Sequence, residues 1–317
     1  MTRAKGHGDL DVQEALDGAS RSTPWAAPHR IATSRDGTRI AFYEHPGRTP
    51  DAPVLLLANG LGGPPGAWSA LVDHLGDRYR FVTWDYRGLY ASERPRPDVT
   101  EAYAVERQVD DLEAVAAAAG IERASLLGWS MGVQVALEAA HRRPELAERL
   151  VLMNGTFGRP LDTALPVRWS ARVMRPALAL TERFAQPVSR ALRAASQSRT
   201  TARAMKLVGT LSQAADDDRF LAIASVFGTL DVEVFSKTLQ ALGTHDAEPY
   251  VERLAAPTLV VAGEIDRVTP AALSQSMAAR MRHAELVVVR GATHYAAVEF
   301  PEYVGLRVER FLDAHPV

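Results

Sequence analysis

A serine set between two glycines, in Gly128-Trp129-Ser130-Met131-Gly132, is the place in this 317-residue chain where chemistry is most readily imagined. Ala124, Leu126 and Leu127 before it form a short apolar run, and Val133, Val135, Ala136, Leu137, Ala139 and Ala140 after it recur at helical spacing. A sharp strand-to-helix turn is predicted between the two, with glycine at 128 and 132 because side chains there would collide as strand and helix close on each other. Ser130 is thereby lifted out of the packing as a candidate nucleophile. Taken alone, the pentapeptide equally suits a small-residue turn that does no chemistry.

Serine is a weak nucleophile near neutral pH unless a base takes its proton, and histidine has the unperturbed pKa for that task. Among the nine histidines, His294 follows an apolar strand at residues 285–289 through the glycine turn Arg290-Gly291-Ala292-Thr293. A third strand, at residues 258–262, leads into Gly263-Glu264-Ile265-Asp266-Arg267-Val268-Thr269-Pro270, where Asp266 could reach sideways to a histidine. An isolated aspartate in that position would otherwise read as an exposed helix-capping acid. Upstream, residues 53–58 run into Asn59-Gly60-Leu61-Gly62-Gly63-Pro64-Pro65. Backbone N–H groups of such a loop could meet a developing oxyanion, at ~3 kcal/mol per donor. A flexible strand exit before the helix of Trp68, Leu71, Val72 and Leu75 would look the same.

The elements that must carry these residues alternate along the chain. Residues 29–34 and 38–43 flank the turn Arg35-Asp36-Gly37 and predict an antiparallel hairpin at a sheet edge. Strands are expected near 53–58, 80–85, 124–128 and 149–153, and helices near 66–76, 102–119 and 132–142. That alternation predicts a parallel sheet wrapped by helices, whose ligands bind at the carboxyl ends of strands. Asp85 and Arg87, also at a strand exit, are expected to hold their loop by an ion pair. Between 158 and 249 the alternation stops, and consecutive helices broken by Pro166, Pro176 and Pro187 suggest an inserted cap. Within it Leu165, Trp169, Val173, Leu180, Phe184, Val188 and Leu192 form an apolar stripe opposite Arg168, Arg172, Arg175, Arg183, Arg190 and Arg193. The stripe could roof an apolar pocket over Ser130, or the basic face could meet a lipid surface; a helical face packed on the core with a solvated arginine face is favoured over contact with lipid. Asp216-Asp217-Asp218 should start the next helix near Phe220, where carboxylates suit the helix dipole. Residues 1–28 are expected to be a flexible extension.

Ser, then Asp, then His, each at a strand end, is the chain order of the α/β hydrolases, and the sequence resembles that family from about residue 31 onwards. The resemblance rests on Asn59-Gly60-Leu61-Gly62, Asp85-Tyr86-Arg87-Gly88, the serine pentapeptide, Gly263-Glu264-Ile265-Asp266 and Gly291-Ala292-Thr293-His294. It implies an α/β fold with a mostly parallel central sheet wrapped by helices, a core at residues 29–157 and 250–317, and a helical cap at 158–249. It also implies Ser130 as nucleophile, His294 as base, Asp266 as the acid that orients it, and the backbone N–H groups of Leu61 and Met131 as oxyanion donors. Asn59, Gly60, Trp129 and Trp169 are expected around the substrate. The chain departs from the common pattern where Asn59-Gly60 replaces His-Gly, where Leu89-Tyr90-Ala91 separates Gly88 from its serine, and where Val133 replaces a second glycine. Some relatives carry the acid at the position of Asn154, which is neutral here and leaves Asp266. Relatives that open epoxides or displace halide use aspartate as nucleophile, so Ser130 points away from both chemistries.

Composition agrees. With 36 basic and 38 acidic residues the net charge is −2, which gives no bias toward nucleic acid. The absence of cysteine excludes disulfides, thiolate catalysis and cysteine-ligated metals. Neither a metal-ligand spacing nor a phosphate loop occurs, so no metal or organic cofactor is implied. No long apolar stretch suggests a secretory leader or membrane span, and a cytoplasmic protein is expected. The expected activity is serine hydrolysis of a carboxylic ester or related acyl bond of a small, largely apolar substrate. The resemblance also admits an acyltransferase, thioesterase, lactonase, carbon–carbon bond hydrolase or cofactor-free haloperoxidase, and a non-catalytic ligand-binding protein is the reading from another class.

Overall fold

Arg35-Asp36-Gly37 does turn the chain back on itself. Gly37 adopts a φ of +87°, and the Asp36 carboxylate accepts the Thr38 N–H at 3.0 Å. Strands β1 (Arg30–Thr33) and β2 (Arg39–His45) flank this turn in antiparallel pairing, as read from the sequence. The computed structural model describes Trp25 and residues 29–163 and 184–317. Beyond the hairpin lie β3 (Val54–Ala58), β4 (Arg80–Trp84), β5 (Ala124–Trp129), β6 (Ala147–Met153), β7 (Thr258–Gly263) and β8 (Ala284–Val289). They form an eight-stranded sheet in the order β1-β2-β4-β3-β5-β6-β7-β8. Pairing is antiparallel at β1–β2 and β2–β4 and parallel from there on.

Parallel strands must be covered on both faces, and these are. Leu55 and Leu57 of β3 point to one side, with Val151 of β6 and the apolar faces of α1 (Ser69–Leu75) and α11 (Pro301–Ala314). Leu56 and Ala58 point to the other, with Leu150, Leu152, α2 (Val105–Ala118) and α3 (Met131–Arg142). The period-two alternation of side chains thus feeds two hydrophobic layers from each strand. A leucine or valine buried as fully as Leu55 or Leu150 contributes about 1.5–3 kcal/mol. Trp25 adds a long-range contact, since its indole N–H donates to the Pro65 carbonyl at 3.1 Å and its ring is buried in the first layer.

Register brings the strand ends together. Ala58 pairs with Gly128, Gly128 with Leu152, Met153 with Val261, and Gly263 with Val289. The loops after β3, β5, β7 and β8 therefore leave the sheet along one edge. Between β6 and β7 the chain inserts the helices α4 (Pro160–Thr163), α5 (Ala185–Ser196), α6 (Arg199–Leu207), α7 (Asp217–Phe227) and α8 (Val232–Leu242) among the described residues. Asp216 caps α7 by accepting the Arg219 N–H at 2.7 Å, as the acidic run suggested. Val188 and Leu192 of α5 pack against the core while Arg190 faces solvent. Phe184, also in the predicted stripe, is instead 50% exposed just before α5; Leu165, Trp169, Val173 and Leu180, with the arginines up to Arg183, lie outside the described residues. Among the described residues no helix is long and apolar enough to cross a membrane.

The expected pairing of Asp85 with Arg87 is not what the structure shows. Asp85 accepts from the Tyr43 hydroxyl at 2.8 Å and the Ala91 N–H at 3.1 Å. Arg87, with no exposed side-chain surface, instead forks onto Asp111 of α2, with Nε at 2.8 Å, and reaches Asp36 at 2.9 Å and the Ala102 carbonyl at 2.8 Å. Both residues lie past the end of β4, where the chain turns, and the bidentate partner of Arg87 is a buried carboxylate on a packed helix. Arg87→Met should strand the Asp111 charge and lower stability by about 3–5 kcal/mol in urea unfolding. The double replacement Arg87→Met, Asp111→Leu should recover most of that loss.

Candidate active site

Helix α3 begins so close to the end of β5 that neither Gly128 of the strand nor Gly132 of the helix could carry a side chain. A Cβ on Gly128 would stand 2.3 Å from the Gly132 carbonyl oxygen, and one on Gly132 would stand 2.0 Å from that of Ala58. Both distances are far below contact, which is the collision anticipated from the sequence. Ser130 takes the bend with φ +56° and ψ −115°, a backbone conformation costing a side-chain-bearing residue about 1–3 kcal/mol. It is pinned on both sides: its N–H donates to the Met153 carbonyl at 2.9 Å, and its carbonyl accepts the Val133 N–H at 3.0 Å.

The three residues singled out at strand ends converge. His294 Nε2 lies 2.9 Å from Ser130 Oγ, and its Nδ1 lies 2.9 Å from Asp266 Oδ2. Asp266 is not an exposed cap but is 5% exposed, and its carboxylate collects donors. Oδ1 accepts the N–H groups of Val268 at 2.8 Å and Thr269 at 2.9 Å, while Oδ2 accepts the Thr269 hydroxyl at 2.9 Å and the Asn154 amide at 3.0 Å. Burial pushes the Asp266 carboxyl up, but the hydrogen bond and charge of His294, with the Thr269 N–H and the Asn154 amide, outweigh it and hold the group below the usual carboxylate range. An ionised carboxylate can only accept, so the proton between the two sits on His294 Nδ1. Nε2 is then left as an acceptor facing the serine hydroxyl.

Leu61 and Met131 both line a cavity of about 490 Å³ that opens over Ser130 and His294. Met131 is the first residue of α3, and its N–H has no intrahelical acceptor by construction. Gly60 and Trp129 line the same cavity, and they touch: a Cβ on Gly60 would meet the Trp129 ring at 2.9 Å. The Trp129 indole N–H donates to the His294 carbonyl at 2.9 Å, tying the serine and histidine loops together. Asn59 is a correction. It is 1% exposed and does not line the cavity; its amide donates to the Trp84 carbonyl at 2.9 Å, and its side-chain oxygen accepts the Trp68 indole N–H. Its task is to hold the loop. Trp169 lies outside the described residues.

Three residues have supporting contacts that the sequence does not reveal. Asn154, at a φ of +48°, bridges Asp266 and the Thr293 carbonyl, the latter at 3.1 Å. Thr269 touches both carboxylate and imidazole, its hydroxyl lying 3.3 Å from His294 Nδ1. Glu299 is 4% exposed and accepts the Thr293 N–H at 2.7 Å, the Thr293 hydroxyl at 2.6 Å and the Ser212 N–H at 2.8 Å. It thus links the inserted helices to the residue beside His294. The spacing Asp-x-x-Thr is the one local signal that could have revealed Thr269.

The model of the alpha/beta hydrolase fold family matches residues 53–301, and the chain belongs to that family. Similar proteins include RutD of Rhizobium rhizogenes, named there as a candidate carbamate hydrolase, at 29% identity over 86% of this chain and 97% of that one. RutD of Klebsiella pneumoniae, named likewise, is 28% identical over 78% of this chain and 87% of its own length. Among solved structures, a hydrolase from Pseudomonas aeruginosa superposes with a TM-score of 0.69 at 26% identity, covering 90% of this chain and 99% of that one. An enol-lactonase from Burkholderia xenovorans gives 0.72 at 23% identity, covering 90% and 100%, and bears on the fold alone.

The depressed Asp266 carboxyl links the site to stability. A group whose folded pKa is lowered stabilises the fold above its unfolded pKa of ~3.9, and that contribution fades as pH falls through the folded value. The stability difference between wild type and Asp266→Asn in urea titrations should therefore be constant from neutrality to about pH 5 and shrink below about pH 4. A difference that grows on acidification would contradict the assigned ionisation.

Proposed function

We propose that this chain is a serine hydrolase that cleaves a carboxylic ester through an acyl-enzyme on Ser130. The observation that carries the reading is the unbroken series Ser130 Oγ, His294 Nε2, His294 Nδ1 and Asp266 Oδ2, with 2.9 Å at each contact between residues. His294 Nε2 takes the serine proton as Oγ attacks the ester carbonyl. The carbonyl electron pair moves onto oxygen, where the N–H groups of Leu61 and Met131 meet it, each contributing on the order of a hundredfold or more in rate. When the tetrahedral centre collapses, the carbon–oxygen bond to the alcohol breaks and the imidazolium returns its proton to the leaving oxygen. Water then attacks the acyl-serine, gives its proton to His294, and releases the acid and Ser130. Asp266 keeps the imidazole in the tautomer that can accept, and stabilises the imidazolium.

In this reading, residues 158–249 form a cap over a core made of 29–157 and 250–317. Side chains from α5, α6, α7 and α8 supply much of the cavity wall above Ser130. The names of the relatives favour a second reading, carbamate hydrolysis on the same residues, in which a carbon–nitrogen bond breaks and His294 returns its proton to nitrogen. An ester panel and a carbamate panel run on the same enzyme separate the two.

Ser130→Ala should abolish turnover of a short-chain aryl ester while the circular dichroism spectrum and melting temperature stay near wild type. Asp266→Asn should lower kcat by about four orders of magnitude through the wrong imidazole tautomer. Turnover retained by Ser130→Ala would refute the assignment.

A further inference from the structure

The walls of the cavity name its substrate more narrowly. Among the described residues that line it there is no lysine, arginine, aspartate or glutamate, so apart from His294, which the reaction itself uses, no side chain there could offset a carboxylate or ammonium on a ligand. Several of its polar members are engaged already, while the Thr156 hydroxyl is buried without a hydrogen-bond partner. Gln134 spends both amide protons on the carbonyls of Thr156 and Gly158, each at 2.8 Å, and its oxygen faces His245 Nδ1. The Thr269 hydroxyl is committed to Asp266, and that of Ser196 to the Arg193 carbonyl at 2.9 Å.

The apolar side chains fall into two groups, one packed on the Gly60–Gly63 loop and one on the residue after His294. One belongs to the Gly60–Gly63 loop. The Cβ position of Gly62 lies 2.8 Å from the ring of Phe227, which meets Phe235 edge-on at 6.0 Å. Leu239 and Leu242, one and two turns further along α8, extend that wall within the cavity. The other group belongs to His294. Tyr295, its neighbour in sequence, meets Phe220 edge-on at 5.8 Å, and Met205, Leu221 and Ala202 join them in one apolar cluster. Both groups reach the cavity surface.

We infer that the substrate is a neutral ester with an apolar group on each side of the scissile bond. This rests on the acyl-transfer reading above. His294 must hand its proton to the leaving oxygen, so the alcohol portion lies beside Tyr295, Phe220 and Met205. The carbonyl oxygen is committed to the amides of Leu61 and Met131, which leaves the acyl chain the wall of Phe235, Leu239 and Leu242. Leu239 and Met205 are the residues that set the reach on the acyl and alcohol sides. A carbamate anion, small and charged, would fill neither group and would find no counter-charge among the described lining residues.

The test uses two ester series on the full-length enzyme, methyl esters from acetate to octanoate and acetates from methyl to octyl, followed by acid release. In both, kcat/KM should rise about fourfold per added methylene until the wall is filled. Monomethyl succinate should be at least tenfold slower than methyl butyrate. Leu239→Trp should flatten the acyl series and keep the slope of the alcohol series, and Met205→Trp should do the reverse. Flat wild-type series, a succinate as fast as the butyrate, or both variants acting on the same series would overturn the inference. A neutral fluorophosphonate applied to the same wild-type sample separates the levels. Labelling at Ser130 with flat series removes the substrate class alone, and no labelling removes the acyl-enzyme reading beneath it as well.

Discussion

Strand β5 and helix α3 meet with no room to spare, and the site is arranged around that closure. The Cβ of any residue at 132 would lie inside the Ala58 carbonyl, and one at 128 inside that of Gly132. Because neither residue has a Cβ, α3 can start within one residue of the sheet, with Met131 next to Ser130 in the cavity wall. The same approach brings the Asn59–Gly63 loop against Trp129, and Trp129 against the His294 backbone. Serine, histidine and the two candidate oxyanion amides are therefore placed by packing against one another rather than by separate devices.

Charge is handled with similar economy. Arg87 and Asp111 are both fully buried and satisfy each other, with Asp36, the Ala102 carbonyl and the Ser34 hydroxyl taking the remaining guanidinium protons. Asp266 carries its charge among five donors from four residues, one of which, Asn154, occupies the position where some related enzymes carry the acid. A second carboxylate at 154 would raise the proton affinity of both groups, and the neutral amide turns that position into a donor instead. Glu299 carries no such partner charge in its described contacts, which are N–H and hydroxyl donors from the His294 loop and from Ser212.

Much of this was legible in the sequence where the cause is local. The hairpin followed from Asp36-Gly37, the strands from short apolar runs, and the elbow from glycines flanking a serine. Ser130, Asp266 and His294 were found because each stands at the end of such a run and their chain order matches a known fold. Residues whose partners are remote were not legible. Arg87 was paired with its near neighbour, yet its partner lies twenty-four residues away on α2. Asn59 was read as lining the pocket because its neighbours do, but its side chain turns inward to Trp84 and Trp68. Asn154, Thr269 and Glu299 acquire their importance through contacts that exist only once β6, β7 and β8 lie side by side.

The left-handed backbone of Ser130 has an evolutionary side. A residue with a side chain is strained there and glycine is not. A drift governed by stability alone would thus run toward Gly-Trp-Gly-Met-Gly, and the fold would be firmer for it. The one side chain that cannot be spared for the proposed chemistry stands where the architecture least wants a side chain. Its presence is held against a thermodynamic gradient, so a serine at this bend reports selection for something other than folding.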